Sequence, residues 1–135
     1  MAFLDWTDKY ALKIRALDDD HRKMFRLINA LHDAMTAGAT RAVAASIFAE
    51  LAAATQAHFR EEEGLFELHE YPDLAAHRAE HRLLQQQLGN IEGRFRRGDT
   101  GLTPALLNSL KAWCTNHVLV SDSRGAAYLA SRGVR

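Results

Sequence analysis

Seven side chains of this sequence are of metal-binding type and recur at spacings that would let them share one point. His58 and Glu62 stand four apart, and so do His77 and His81, on either side of Tyr71-Pro72. In an α-helix, residues four apart differ by about 40° around the axis and about 6 Å along it, so each pair projects from one face. Two helices meeting at the Tyr71-Pro72 break would bring three imidazoles and a carboxylate together. His21 lies one turn before Met24 and Phe25, and His117 lies between Trp113 and Val120, both on apolar seams. Each buried polar group without a partner costs roughly 1–3 kcal/mol. Five inward imidazoles with Glu62 therefore call for a common partner, and a metal is the economical one. Imidazole nitrogen and carboxylate oxygen suit iron, manganese or zinc. Asp122 follows His117 by five, about 140° away on an ideal helix; a π-bulge or a helix end between them would return it to the shared face.

The elements that must position these residues are helical. After Asp18, Asp19 and Asp20, an N-cap and acidic first turn, Met24, Phe25, Ile28, Leu31 and Met35 recur at helical spacing up to Gly38,. Thr40 caps a second helix whose shared face holds Ile47, Leu51, Ala54, His58, Glu62, Leu65 and Phe66 and which ends near Glu70. Pro72 is expected just inside the third helix, where Leu74, His77, His81, Leu84, Leu88, Ile91 and Phe95 alternate spacings of three and four,. Thr103-Pro104 repeats the cap-then-proline signal before Leu106, Leu110, Trp113, His117 and Val120. The expected architecture is all-α: one domain, residues 1–135, forming an antiparallel up-down-up-down four-helix bundle over 18–122. An irregular arm, 1–17, is pinned by Phe3, Trp6, Tyr10 and Ile14, and a tail, 123–135, is expected to fray.

Composition narrows the function classes. Seventeen basic and seventeen acidic residues cancel, and the one basic run, Arg94-Phe95-Arg96-Arg97, suits a helix end,. Neither nucleic acid nor a membrane surface is an expected partner. A single cysteine, Cys114, excludes an internal disulfide and any cysteine-built zinc or iron–sulfur site,. With no signal-like start and no long apolar window, the expected location is the cytoplasm, and a monomer is the default state.

His21 after its Asp-rich turn, His58-Phe59-x-x-Glu62-Glu63, Tyr71-Pro72-Asp73 before His77-x-x-x-His81, and Trp113-x-x-x-His117-x-x-x-x-Asp122 together resemble the hemerythrin family, specifically the single-domain bacteriohemerythrins. The resemblance implies two iron ions in an oxo- or hydroxo-bridged centre, with His77, His81 and His117 on one iron, His21 and His58 on the other, and Glu62 and Asp122 bridging. It leaves one position open on the iron with two histidines, where dioxygen would bind reversibly, within a pocket built from Phe25, Phe59, Trp113 and Cys114. Leu84 is a further apolar neighbour. The implied role is oxygen storage, delivery or buffering without catalysis, with an unidentified oxygen-using protein as a conceivable recipient. The alternatives are a di-iron enzyme acting on nitric oxide or peroxide, oxygen or redox sensing, iron–sulfur repair, or a zinc-bound structural bundle. The chain departs from the family at Cys114, where a leucine is usual, at Phe66, often methionine, and at Gly125, commonly tyrosine; Tyr128 is a candidate substitute for the last. His32 and His69 lie eleven residues after His21 and His58, about 16 Å along the axis, too far to join the centre. Glu61 and Glu63 flank Glu62 and are expected to face solvent, with Glu63 able to orient a neighbouring histidine.

Overall fold

The computed structural model describes residues 2–135 and, among them, only helices and turns. Helix α1 spans Arg15–Thr36, α2 Arg41–Leu68, α3 Leu74–Arg96 and α4 Pro104–His117. A π-helical turn, Val118–Asp122, follows α4 directly and leads into α5, Ser123–Ser131. Short connections make the four long helices antiparallel neighbours. None of the described helices is long and apolar enough to cross a membrane.

The caps show how much of this is local chemistry. The Thr40 side chain accepts from the Val43 amide, and the Thr103 side chain accepts from Leu106 with Pro104 in the first turn. Helices α1 and α3 end on left-handed Gly38 (φ 66°) and Gly98 (φ 81°), the conformation that favours glycine. Helix α2 ends in the same motif without glycine. Glu70 takes φ 56°, the Tyr71 amide donates to Phe66 O at 2.9 Å, and the Phe66 and Tyr71 rings pack with centroids 4.5 Å apart. Tyr128 supports this bend by donating its hydroxyl to His69 O at 2.6 Å. Tyr128, the candidate substitute for a tyrosine at position 125, thus has its hydroxyl engaged in this turn.

Four boundaries differ from expectation. Helix α1 begins at Arg15, three residues before the aspartates expected to cap it. Asp18 is buried and accepts from the Leu12 and Lys13 amides at 2.8 and 3.0 Å. Its carboxylate thus satisfies the strained turn ahead of the helix, where Lys13 has φ 64°. Pro72 lies in the turn before α3 rather than inside it, because the α2 ending carries the chain through Tyr71 before helical geometry resumes at Leu74. The expected loose tail is helix α5, held by buried Ala126 and Leu129. The arm contains a 3₁₀ turn at Asp8–Tyr10. It is pinned as its aromatics suggest, with Trp6 and Tyr10 edge-on to Phe25, and additionally by Asn29, which exchanges two hydrogen bonds with the Leu4 backbone at 2.8 and 2.9 Å.

The buried apolar residues form two clusters. The larger includes Met24, Ile28, Leu31, Phe48, Leu51, Phe95, Leu107, Leu110 and Cys114. The smaller is built from Ile14, Leu17, Phe66, Tyr71, Ala126 and Leu129. His21 lies between Leu17 and Met24, His58 and Glu62 between Leu51 and Phe66, His77 and His81 between Tyr71 and Leu88, and Asp122 between Val118 and Ala126. Each time one member of each cluster stands on either side, so the bundle holds a polar layer within an apolar column.

Candidate metal centre

The structure brings together all seven residues singled out by type and spacing. His21, His58, Glu62, His77, His81, His117 and Asp122 are all buried, with Glu62 at 0% and Asp122 at 1% exposure. They form two overlapping groups whose candidate ligand atoms lie within 4.8 Å of one another: Glu62, His77, His81, His117 and Asp122 in one, and His21, His58, Glu62 and Asp122 in the other. Glu62 and Asp122 belong to both. Asp122 reaches the shared face because the π-helical turn inserts the extra residue that five-residue spacing requires,. Ser123 bonds its hydroxyl to Val118 O at 3.3 Å, satisfying a carbonyl of this widened turn.

Nε2 of every ring enters the cluster. His21 Nε2 is 2.9 Å from both His58 Nε2 and Asp122 Oδ2. His117 Nε2 is 2.8 Å from Asp122 Oδ1, His81 Nε2 is 3.1 Å from Glu62 Oε1, and His77 Nε2 meets the same Glu62 oxygen. Despite these distances, His81 Nε2, His117 Nε2, Glu62 Oε2 and both Asp122 oxygens lack a well-directed hydrogen bond. Donor atoms crowded at contact distance yet not aimed at one another point to a common partner between them, and the donor set fits metal ions of borderline hardness, iron among them.

Three rings are oriented from behind. Nδ1 of His58 faces Asp20 at 2.9 Å, Nδ1 of His81 faces Glu63 at 2.7 Å, and Nδ1 of His117 faces Glu80 at 2.9 Å. A carboxylate there places the ring proton on Nδ1 and turns the Nε2 lone pair inward. The orienting role considered for Glu63 is thus present. Asp20 and Glu80 were missed by sequence reasoning, though each directly precedes a site histidine. Their partners sit on other helices, Asp20 serving His58 and Glu80 serving His117, so spacing carries no signal of the pairing.

Electrostatics of the metal-free cluster follow from opposite charges packed in a dry layer. Burial alone would lower the His77 pKa, but the Asp122 and Glu62 carboxylates beside the ring raise it to about 9,. Against burial, the same carboxylates and their neighbours raise His58 well above its ordinary value and raise His117. Burial and the Asp122 charge push the Glu62 pKa up, yet the His58, His77 and His81 rings packed against its carboxylate hold it at about 2. Asp122 is likewise held well below the carboxylate range by His117, His21, His58 and His77.

Beside the two-histidine group lies a small cavity walled by His21, Met24, His58, Phe59, Leu84, Trp113, Cys114, His117 and Val118. It offers about 10 Å³ to the centre of a water-sized sphere, at the lower bound for a single water molecule,. Trp113 fixes one wall by donating its indole N–H to Leu84 O at 3.1 Å. Phe59, Trp113 and Cys114 line the cavity as expected, whereas Phe25 does not. Its ring is committed to Trp6 and Tyr10 of the arm, and Met24 takes its place. The remaining histidines lie outside the centre: His32 stacks on Phe3 with centroids 4.5 Å apart, and His69 caps α2.

Phe66 and Gly125 fit each other. A Cβ on Gly125 would meet Phe66 Cζ at 2.3 Å. The larger residue in α2 occupies the room that a side chain at 125 would need.

Comparison with known proteins identifies the family. The family model described as "Hemerythrin HHE cation binding domain" matches residues 12–124. The chain is 32% identical to a bacteriohemerythrin of Ralstonia nicotianae, with 98% of this chain and 93% of the relative covered. It is also 32% identical to a bacteriohemerythrin of Stenotrophomonas maltophilia, covering 90% of this chain and 78% of that one. The crystal structure of a wild-type hemerythrin superposes with a TM-score of 0.86 at 26% identity, covering 96% of this chain and 99% of that one. The chain belongs to the hemerythrin family.

Proposed function

We propose that this protein binds dioxygen reversibly at a non-haem di-iron centre, and that it stores, delivers or buffers oxygen without catalysing its reduction. The observation that carries the reading is the pair of overlapping ligand groups sharing Glu62 and Asp122, set against a small, largely apolar cavity. His77, His81 and His117 would hold one iron, His21 and His58 the other, with Glu62 and Asp122 spanning both. When bound, the iron pair supplies a reversible two-electron couple and an open coordination position for a small neutral ligand.

The chain's own residues prepare this chemistry. Asp20, Glu63 and Glu80 keep three imidazoles in the tautomer that presents Nε2,. Glu62 and Asp122 stay ionised at neutral pH and need no deprotonation when metal arrives. Five neutral rings against two carboxylates give a less anionic ligand set than the glutamate-rich oxygen-activating di-iron sites, which favours holding the ligand over breaking it. Phe59, Leu84, Trp113 and Val118 give the cavity a largely apolar wall that disfavours water,.

The test is the visible spectrum of the iron-loaded protein, reduced without oxygen, exposed to air and returned to low oxygen. A charge-transfer band that rises with air and disappears on deoxygenation is the expected result. Irreversible oxidation in one exposure, or steady consumption of peroxide or nitric oxide, would replace carriage with redox catalysis.

A further inference from the structure

The widened turn that delivers Asp122 is tethered at both ends by one carboxylate of α3. Glu80 Oε1 faces His117 Nδ1 at 2.9 Å, at the start of the turn. The Ser121 hydroxyl, one residue before Asp122, lies 2.7 and 2.5 Å from the two Glu80 oxygens and shares its single proton between them. Glu80 therefore spans the whole π-helical segment from the neighbouring helix. Such a segment gives up regular α geometry, and relaxation to α spacing would swing Asp122 to about 140° from His117. The separation that the tether protects is the 2.8 Å between His117 Nε2 and Asp122 Oδ1, two atoms of the five-residue group.

We propose that Glu80 and Ser121 are positioning residues that hold His117 and Asp122 at the mutual geometry the metal requires, a role that rests on the metal-centre reading above. Neither touches the metal position. Glu80 acts through the His117 ring and, by way of Ser121, through the backbone that aims Asp122. Both are half-buried, and Ser121 has no other hydrogen-bond partner among the described side chains. Bulk packing thus explains little of their placement. This task differs from that of Asp20 and Glu63, each of which backs a single ring.

The experiment compares cobalt(II) affinity, by competition with a chromophoric chelator, in the wild type, Ser121→Ala, Ser121→Thr and Glu80→Gln. The melting midpoint of each metal-free protein and the visible cobalt bands are recorded alongside. Loss of a residue orienting a metal ligand typically weakens binding about 10- to 100-fold. The expected result is about tenfold weaker binding for Ser121→Ala, a larger loss for Glu80→Gln, and recovery with Ser121→Thr, whose hydroxyl restores the contact. The cobalt bands should shift in the two weakened variants. Wild-type affinity and bands in Ser121→Ala would overturn the proposal, as would a loss that follows the metal-free melting midpoint and is not recovered by threonine. A wild type that takes up no cobalt would instead overturn the metal reading itself, and the proposal with it.

Discussion

Gly125→Ala should destabilise this protein although the same substitution at Gly64 and Gly89 should stabilise it. All three glycines lie within helices, where exchanging glycine for alanine is worth up to about 1 kcal/mol in reduced chain entropy. A Cβ at Gly64 or Gly89 meets nothing within 4 Å. At Gly125 it meets Phe66 Cζ at 2.3 Å, Cε1 at 2.8 Å and Cε2 at 3.3 Å. The Phe66 ring must move by about 1 Å to restore ordinary contact, in an interior packed as densely as a crystal. It is fully buried and wedged between Tyr71 at 4.5 Å and His77 at 4.8 Å, so the displacement has no free direction. Overpacking of this kind costs about 1–3 kcal/mol; set against a helix gain of about 0.5–1 kcal/mol, the net loss centres on about 1 kcal/mol. Urea unfolding of the metal-free protein gives the comparison directly, with Gly64→Ala and Gly89→Ala expected about 0.5–1 kcal/mol more stable than wild type. Phe66→Leu combined with Gly125→Ala should recover at least about 1 kcal/mol relative to additivity, since the two sites are in contact. If Gly125→Ala proves as stabilising as Gly89→Ala, the steric account of positions 66 and 125 is wrong.

Three further outcomes follow from the site and its approach. In the metal-free protein, the stability contributed by His77 is fully present below pH 6.5 and is lost as pH rises through about 9. The Glu62 contribution is present above pH 4.5 and is lost as pH falls toward about 2,. Metal must displace the histidine protons, so apparent metal affinity should rise over the same alkaline window in which metal-free stability falls; parallel trends measured by unfolding and metal titration would contradict this. Asp18→Ala should cost about 1–2 kcal/mol by stranding the Leu12 and Lys13 amides, and an unchanged unfolding midpoint would show that water replaces the carboxylate. Cys114→Leu should fill the 10 Å³ cavity and slow air oxidation of the iron-loaded protein severalfold. Equal rates would leave Cys114 a packing residue, in keeping with a thiol whose pKa burial pushes up.

What could be read from residue order was local or periodic. The His58/Glu62 and His77/His81 pairs, the Thr40 and Thr103 caps and the widened turn before Asp122 each depend on spacing along one chain segment, and spacing is visible in the sequence. The rest depends on which residues meet across helices. Asp20 and Glu80 resemble ordinary surface acids until α2 and α4 are placed beside them. Asp18 resembles a helix cap, and only the left-handed Lys13 shows that its carboxylate serves the preceding turn. Gly125 resembles a flexible tail position until Phe66 fills the space above it. Phe25 has the periodicity of a site-facing residue, and the arm's aromatic rings claim it instead.

The polar layer divides the apolar column into unequal parts, and unequal parts do not loosen together. The cluster of Ile14, Leu17, Phe66, Tyr71, Ala126 and Leu129 is the smaller, and it depends on the short helix α5. Opening free energy follows the apolar contacts broken, so amides of α5 should exchange with solvent faster than those around Phe48 and Leu110. Fluctuations would then expose the polar layer from the α5 side while the larger cluster stays shut, giving an ion a way in that leaves the body of the bundle folded.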